Sequence, residues 1–281
     1  MNLHRALRIA TGEIHHWQAD TYVVSYPKSG RTWLRVLIAK AIAVEARHLD
    51  DIFDLNKAPA SVKRAAPSLR FSHDWSGRNY RWPGPRYDRY SRKKVVFLAR
   101  DPRDVVVSHF FQLTKRAVAY SVDCPQTMSE FIRNSSWGVE RVVHFMNDWY
   151  EHKSEPTSFL MVRYEDLKRD PHTELNAILQ FMGINVSERT ILQSVQFADF
   201  DNLRKKSQEA DQADWRLRPR QAEDSESFKV RRGKVGGYVD YLSQEDIRFA
   251  GDIIESLHGD FGYRVERAPA KGKNRQLHRR S

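Results

Sequence analysis

The sequence predicts an α/β fold with a largely parallel central sheet. Three observations lead there. Three short runs, 21–26, 95–99 and 159–162, have the length and apolar character of buried strands, and 69–73 is a short strand candidate. Helical segments alternate with them, which calls for a parallel sheet. And the first run passes through a tight turn into residues 32–47, which are apolar on nearly all sides (Leu34, Val36, Leu37, Ile38, Ala41, Ile42, Val44). A helix of that kind is buried rather than amphipathic.

The turn reads Ser25-Tyr26-Pro27-Lys28-Ser29-Gly30-Arg31-Thr32-Trp33. Pro27 ends the strand because it cannot donate to a ladder. Gly30 allows backbone geometry and close approach that side chains forbid. A glycine loop feeding a helix N-terminus turns N–H groups outward, where an anion fits. Lys28 adds a mobile charge, and Ser29 and Thr32 add hydroxyls. The pattern differs from the usual P-loop, in which Lys follows the second Gly. Taken alone, the stretch is equally an anion site or an ordinary strand-to-helix turn.

Further along, residues 50–67 are mixed and loop-like with short helical stretches. The strand at 69–73 ends in Ser72-His73-Asp74-Trp75. Residues 77–91 read as a loop, because Pro83-Gly84-Pro85 excludes a helix. The apolar run 95–99 enters Arg100-Asp101-Pro102-Arg103-Asp104, with Asp101 as N-cap and Pro102 in the first helical turn. That puts Arg100 at a strand's C-terminal end, the edge where ligands sit in open parallel sheets. Residues 127–150 are expected as one helix with Ser129 near its cap. The strand at 159–162 ends in Arg163-Tyr164-Glu165-Asp166. Helices are expected at 171–182, closed by Gly183, at 187–195, and at 243–257 with Ser243 as N-cap. Residues 202–227 read as a long polar loop.

Residues 1–263 are expected to form one domain and residues 264–281 a basic, disordered tail, which holds seven Lys/Arg against one acid. The net charge of +11 is partly local to that tail, so a nucleic-acid-coating surface is not required. One cysteine, Cys124, excludes an intrachain disulfide and a thiolate metal cluster. His4, His15 and His16 read as surface residues, with no third ligand near the adjacent pair. No bound metal is expected. The first twenty residues lack the apolar core of a signal peptide, and no run reaches membrane-spanning length, so a cytoplasmic protein is expected.

The Lys28 loop, His73, the Arg100–Ser108 unit, Arg163-Tyr164-Glu165-Asp166-Leu167 and Arg231-Arg232-Gly233 with Gly236-Gly237 occur in the order and rough spacing of one family. Together they resemble the cytosolic sulfotransferases that use 3′-phosphoadenosine-5′-phosphosulfate, over about residues 20–241. The resemblance implies a three-layer, P-loop-NTPase-like fold. It implies that the chain is an enzyme transferring a sulfuryl group to a hydroxyl or amine of a small-molecule, saccharide or lipid acceptor. The product would be adenosine 3′,5′-bisphosphate.

By the same resemblance, Lys28 with Ser29, Gly30, Arg31 and Thr32 would hold the 5′-phosphosulfate. Trp33 would stack on adenine, with Phe200 as a second aromatic and Tyr164 at the adenine edge. Arg100 and Ser108 would bind the 3′-phosphate, and Arg231, Arg232 and Gly233 would close over it. His73 matches the catalytic histidine. An ordinary histidine titrates near working pH and so suits general-base work. Lys28 would neutralise charge on the bridging and leaving phosphate oxygens, as positioning and electrostatics do in phosphoryl transfer.

The sequence also departs from the pattern. Arg31 stands where the family usually has Thr. Phe71 stands where phenol-type members carry Lys, two residues before the histidine. Gly236-Gly237-Tyr238 replaces Gly-Asp-Trp, and no dimerisation motif is readable at 239–248. Trp75, Tyr80, Trp82, Tyr87 and Tyr90 either contact the acceptor or pack on their own domain; residues 202–227 would lid the acceptor pocket. Two other functions are a nucleotide kinase or ATPase, which lacks its Walker-type signature here, and a nucleic-acid binder using the Arg-rich segments.

Overall fold

A computed structural model describes residues 19–48, 52–74, 87–116, 124–208 and 233–263. Four strands form one sheet: β1 (Thr21–Val24), β2 (Leu69–Ser72), β3 (Lys94–Ala99) and β4 (Ser158–Arg163). Their order is β2-β1-β3-β4. All three pairings are parallel, with Val23 opposite Phe71 and Val96, and Val96 opposite Leu160.

Alternation along the strands builds three layers. Tyr22 and Val24 of β1, with Val95, Phe97 and Ala99 of β3, face one core. Val23, Val96 and Leu98 face the other. The first core is closed by α3 (Pro102–Phe111), α5 (Val139–Glu151) and α10 (Gln244–Ile254), with Trp149, Phe145 and Phe131 fully buried. The second is closed by α1 (Arg31–Glu45), α7 (Pro171–Met182) and α8 (Glu188–Phe197). The remaining helices are α2 (Ala60–Ala65), α4 (Met128–Arg133), α6 (Tyr164–Arg169) and α9 (Phe200–Gln208). Each large side chain moved from water into these cores contributes about 1.5–3 kcal/mol, which is why the apolar runs fix the strands.

Four expectations change. The span 127–150 is two helices, because the chain turns at 134–138. A Cβ at Gly138 would lie 2.3 Å from the Ile132 carbonyl oxygen, so only glycine allows that turn. Thr127, not Ser129, caps α4: its hydroxyl accepts from Glu130 N, and Glu130 reaches back to Thr127 N in a capping box. Residues 200–208 are helical, so the supposed loop from 202 begins as α9, which is anchored by buried Leu203. Its continuation past 208 lies outside the described residues. Finally, Tyr87–Tyr90 is a 3₁₀ turn. Both its tyrosines are buried against Trp149, with ring centroids 5.1 and 5.0 Å away, so they pack on their own domain. Trp75, Tyr80 and Trp82 lie outside the described residues.

Because every strand runs the same way, the residues that follow them gather at one edge. The connection from β1 goes to β2 on one side, and the chain then crosses to β3 on the other. The loop after β1 therefore stands at the switch point of the sheet, with His73 on its β2 side and Arg100 on its β3 side. That crevice is where open α/β sheets bind ligands.

Candidate active site

One cleft of about 860 Å³, counted with its open mouth, lies at this edge. Its walls include Lys28, Gly30, Arg31, Thr32, Trp33, His73, Arg100, Ser108, Tyr164 and Gly233. Residues some 200 positions apart are thus brought to one space by the sheet. Two of the expected residues do not line it. Ser29 is buried under the loop, with its N–H bonded to the Tyr26 carbonyl at 3.3 Å, so it cannot present that group to an anion. Phe200 stands behind Gly233. Arg231 and Arg232 lie outside the described residues.

The loop is built for close approach. Gly30 is the N-cap of α1 with φ 98°, and a Cβ there would sit 2.5 Å from Tyr164 Cδ2. Lys28 is also left-handed, at φ 76°. No side chain caps α1, and no acidic residue stands in its first turn. The positive end of the helix dipole therefore faces the cleft.

Arg100 joins the loop to the returning chain. Its Nη1 donates to the Lys28 carbonyl at 3.1 Å and its Nη2 to the Lys234 carbonyl at 3.2 Å. The guanidinium also stacks over the Tyr164 ring, 4.4 Å from its centre. One turn on, buried Asp104 pairs with Arg100 at 3.4 Å. Its two oxygens accept from Gly236 N and Tyr238 N, both at 2.9 Å. Burial raises the Asp104 pKa, while Arg100 and the two amides pull it down.

Asp101 and Glu165 brace this layer from below. Asp101 caps α3 and holds the Arg103 guanidinium at 2.6 Å, and Arg103 stacks over Tyr238. Glu165 accepts from Asp101 N at 3.0 Å and from the Tyr263 hydroxyl at 2.7 Å; burial raises its pKa.

His73 is fixed by its Nδ1, 2.8 Å from the Ser25 carbonyl oxygen. A carbonyl only accepts, so Nδ1 carries the proton and the neutral ring keeps its lone pair on Nε2. Beside it, Phe71 is covered by the Arg35 guanidinium at 4.5 Å, so a cation stands next to the position that departs from the family pattern.

An aromatic group occupies the far end. Trp33 donates from Nε1 to the Ala198 carbonyl at 2.8 Å and meets Tyr164 edge-on. Lys168 Nζ lies 5.3 Å from the Trp33 ring and 5.9 Å from that of Phe200. Phe200 in turn abuts Gly233, where a Cβ would come within 2.7 Å of its ring.

Asp104 and Lys234 also line the cleft and were not picked out as site residues from the sequence; Gly237, of the glycine pair noted there, lines it too. Asp104 had a signal, its place one helical turn after Arg100. Lys234 had none beyond its neighbours.

A glycine loop at the switch point, facing cations from distant segments, defines an α/β protein built to hold a multiply charged phosphate ligand. The chain belongs to the sulfotransferase family: the model of the Sulfotransferase domain matches residues 83–262. It is similar to 3-beta-hydroxysteroid sulfotransferase of Cavia porcellus, at 24% identity over 80% of this chain and 78% of the relative. It is also similar to flavonol 3-sulfotransferase of Flaveria bidentis, at 26% identity over 86% and 83%. Among solved structures it shares its fold with retinol dehydratase in a complex with retinol and PAP, with a TM-score of 0.59 at 19% identity, covering 88% of this chain and 83% of that one. Mouse sulfotransferase SULT7A1 complexed with PAP gives a TM-score of 0.57 at 18% identity, over 84% and 82%. Among the described residues, no helix is long and apolar enough to cross a membrane.

Proposed function

We propose that this chain moves a sulfuryl group from 3′-phosphoadenosine-5′-phosphosulfate to a hydroxyl or amine of a small-molecule, saccharide or lipid acceptor. The observation that carries the proposal is the single cleft holding Lys28, His73, Arg100 and Ser108 together. The residues present fit such a donor. Gly30 gives α1 a left-handed start pressed against Tyr164, no side-chain hydrogen bond caps the helix, Arg100 offers a fork suited to phosphate, and Trp33 gives a ring for a base. Solved relatives of this fold are described as complexes with PAP.

Bound there, the donor supplies the sulfuryl group, and adenosine 3′,5′-bisphosphate is the product. His73 Nε2 takes the proton of the acceptor hydroxyl as its oxygen bonds to sulfur. Lys28 offsets the negative charge that collects on the 5′-phosphate oxygen as the sulfur–oxygen bond breaks. Arg100 and Ser108 hold the 3′-phosphate, and Thr32 and Arg31 the phosphosulfate end. Trp33 and Tyr164 flank adenine, with Phe200 behind Gly233. Residues 1–263 act as one domain, and the protein works in the cytoplasm without nucleic acid.

A radiolabelled donor offered with panels of phenols, alcohols, amines, sugars and lipids tests this. Labelled product with one panel supports the proposal. No product with any panel, together with salt-sensitive nucleic-acid binding that deletion of residues 264–281 abolishes, would favour the binding protein instead.

A further inference from the structure

The stripe of α3 that lines the cleft continues past the last α-helical turn. Arg100, Asp104 and Ser108 stand four residues apart and all face the cleft. The next member is Gln112, the first residue of a π-helical turn, Gln112–Arg116. Its Oε1 accepts a hydrogen bond from Lys28 Nζ at 3.1 Å, across 84 positions of sequence. Residues four apart on an α-helix drift about 40° around its axis at each step, so a stripe turns away from its target over several turns. Wide turns of the π type are frequent at functional sites, and this one begins where the stripe meets Lys28.

The turn is held from behind. The His109 ring packs edge-on against Tyr26, Phe131 and Trp137, at 5.9, 5.8 and 5.6 Å. The Thr114 hydroxyl donates to the Phe110 carbonyl at 2.9 Å. Lys28 is fixed at its other end, since its left-handed backbone gives its carbonyl to Arg100.

We propose that Gln112 is a positioning residue for sulfuryl transfer: it aims the Lys28 ammonium into the cleft through an acceptor that carries no charge. The proposal rests on the role given to Lys28 above. A lysine stem has four rotatable carbons, so an ammonium that must meet developing charge needs a second anchor. A carboxylate would anchor it as well but would cancel the charge that the leaving phosphate needs. An amide oxygen orients it and leaves that charge intact.

A double-mutant cycle tests this, with turnover at saturating donor and acceptor and adenosine 3′,5′-bisphosphate affinity both measured. Gln112→Leu is expected to lower kcat about tenfold, with bisphosphate Kd held within about twofold. In a Lys28→Ala background the same change should add less than about twofold, because the partner it positions is gone. Gln112→Glu, close in shape, should also lower kcat at neutral pH, because its carboxylate cancels the Lys28 charge. Wild-type kcat in Gln112→Leu, beside a collapsed Lys28→Ala, overturns the role of Gln112 alone. An equal loss in both backgrounds does the same. Full turnover in Lys28→Ala removes Lys28 from the mechanism and Gln112 with it.

Discussion

Arg100 Nη1 donates to the Lys28 carbonyl at 3.1 Å, so the end of β3 holds the loop that follows β1. The same guanidinium reaches Lys234 and lies over Tyr164. A lysine here keeps the charge and loses the fork. Arg100→Lys is therefore expected to weaken adenosine 3′,5′-bisphosphate binding by about 10- to 100-fold, as lost charge-assisted hydrogen bonds of roughly 1.5–3 kcal/mol imply. Calorimetric titration checks it. Unchanged affinity would mean that Arg100 serves only the protein's own carbonyls.

Gly30 meets two constraints at once, a φ of 98° and a Cβ position 2.5 Å from Tyr164. Gly30→Ala should lower stability by about 1–3 kcal/mol, from strain and forced movement of the ring. Gly30→Ala with Tyr164→Ala should recover less than all of it, because the backbone strain stays. Urea unfolding of the two variants measures the split.

Glu165 gives the clearest pH dependence. Burial raises its folded pKa above the ordinary carboxylate value. The folded state therefore binds more protons than the unfolded chain just above that value, and stability falls as pH rises through the interval. Asp104 acts in the same direction. Glu165→Gln keeps an acceptor for Asp101 N and removes the charge. Its denaturation midpoint should fall less than the wild type's as the pH rises above the ordinary carboxylate range. A variant with the wild-type slope would place the dependence elsewhere.

His73 Nδ1 lies 2.8 Å from the Ser25 carbonyl oxygen, and in the proposed mechanism Nε2 is the base. His73→Ala should lower kcat by about 10²–10⁴, the usual worth of a general base, with bisphosphate Kd within about twofold. Turnover held at saturation while donor affinity falls would make His73 a binding residue.

The fold was legible where burial imposes simple patterns. Residues 95–99 read as a strand because both faces are covered, and Asp101-Pro102 and Ser243 marked helix starts. The break at Gly138 was missed because apolar residues continue on both sides of it; the Asn134-Ser135-Ser136 run was its signal. α9 was missed because it is polar and rests mainly on one buried side chain, Leu203. At the site, the loop, His73 and Arg100 were legible from local order. Gln112 was not, since its partner stands 84 positions away and only the folded sheet edge brings the two together.

Competition between adenosine 3′,5′-bisphosphate and ATP with Mg²⁺ tests the central claim most directly. The cleft is expected to bind the bisphosphate, with binding weakened in Lys28→Ala and Arg100→Lys and insensitive to Mg²⁺. Tight Mg²⁺-dependent ATP binding, with none for the bisphosphate, would contradict it.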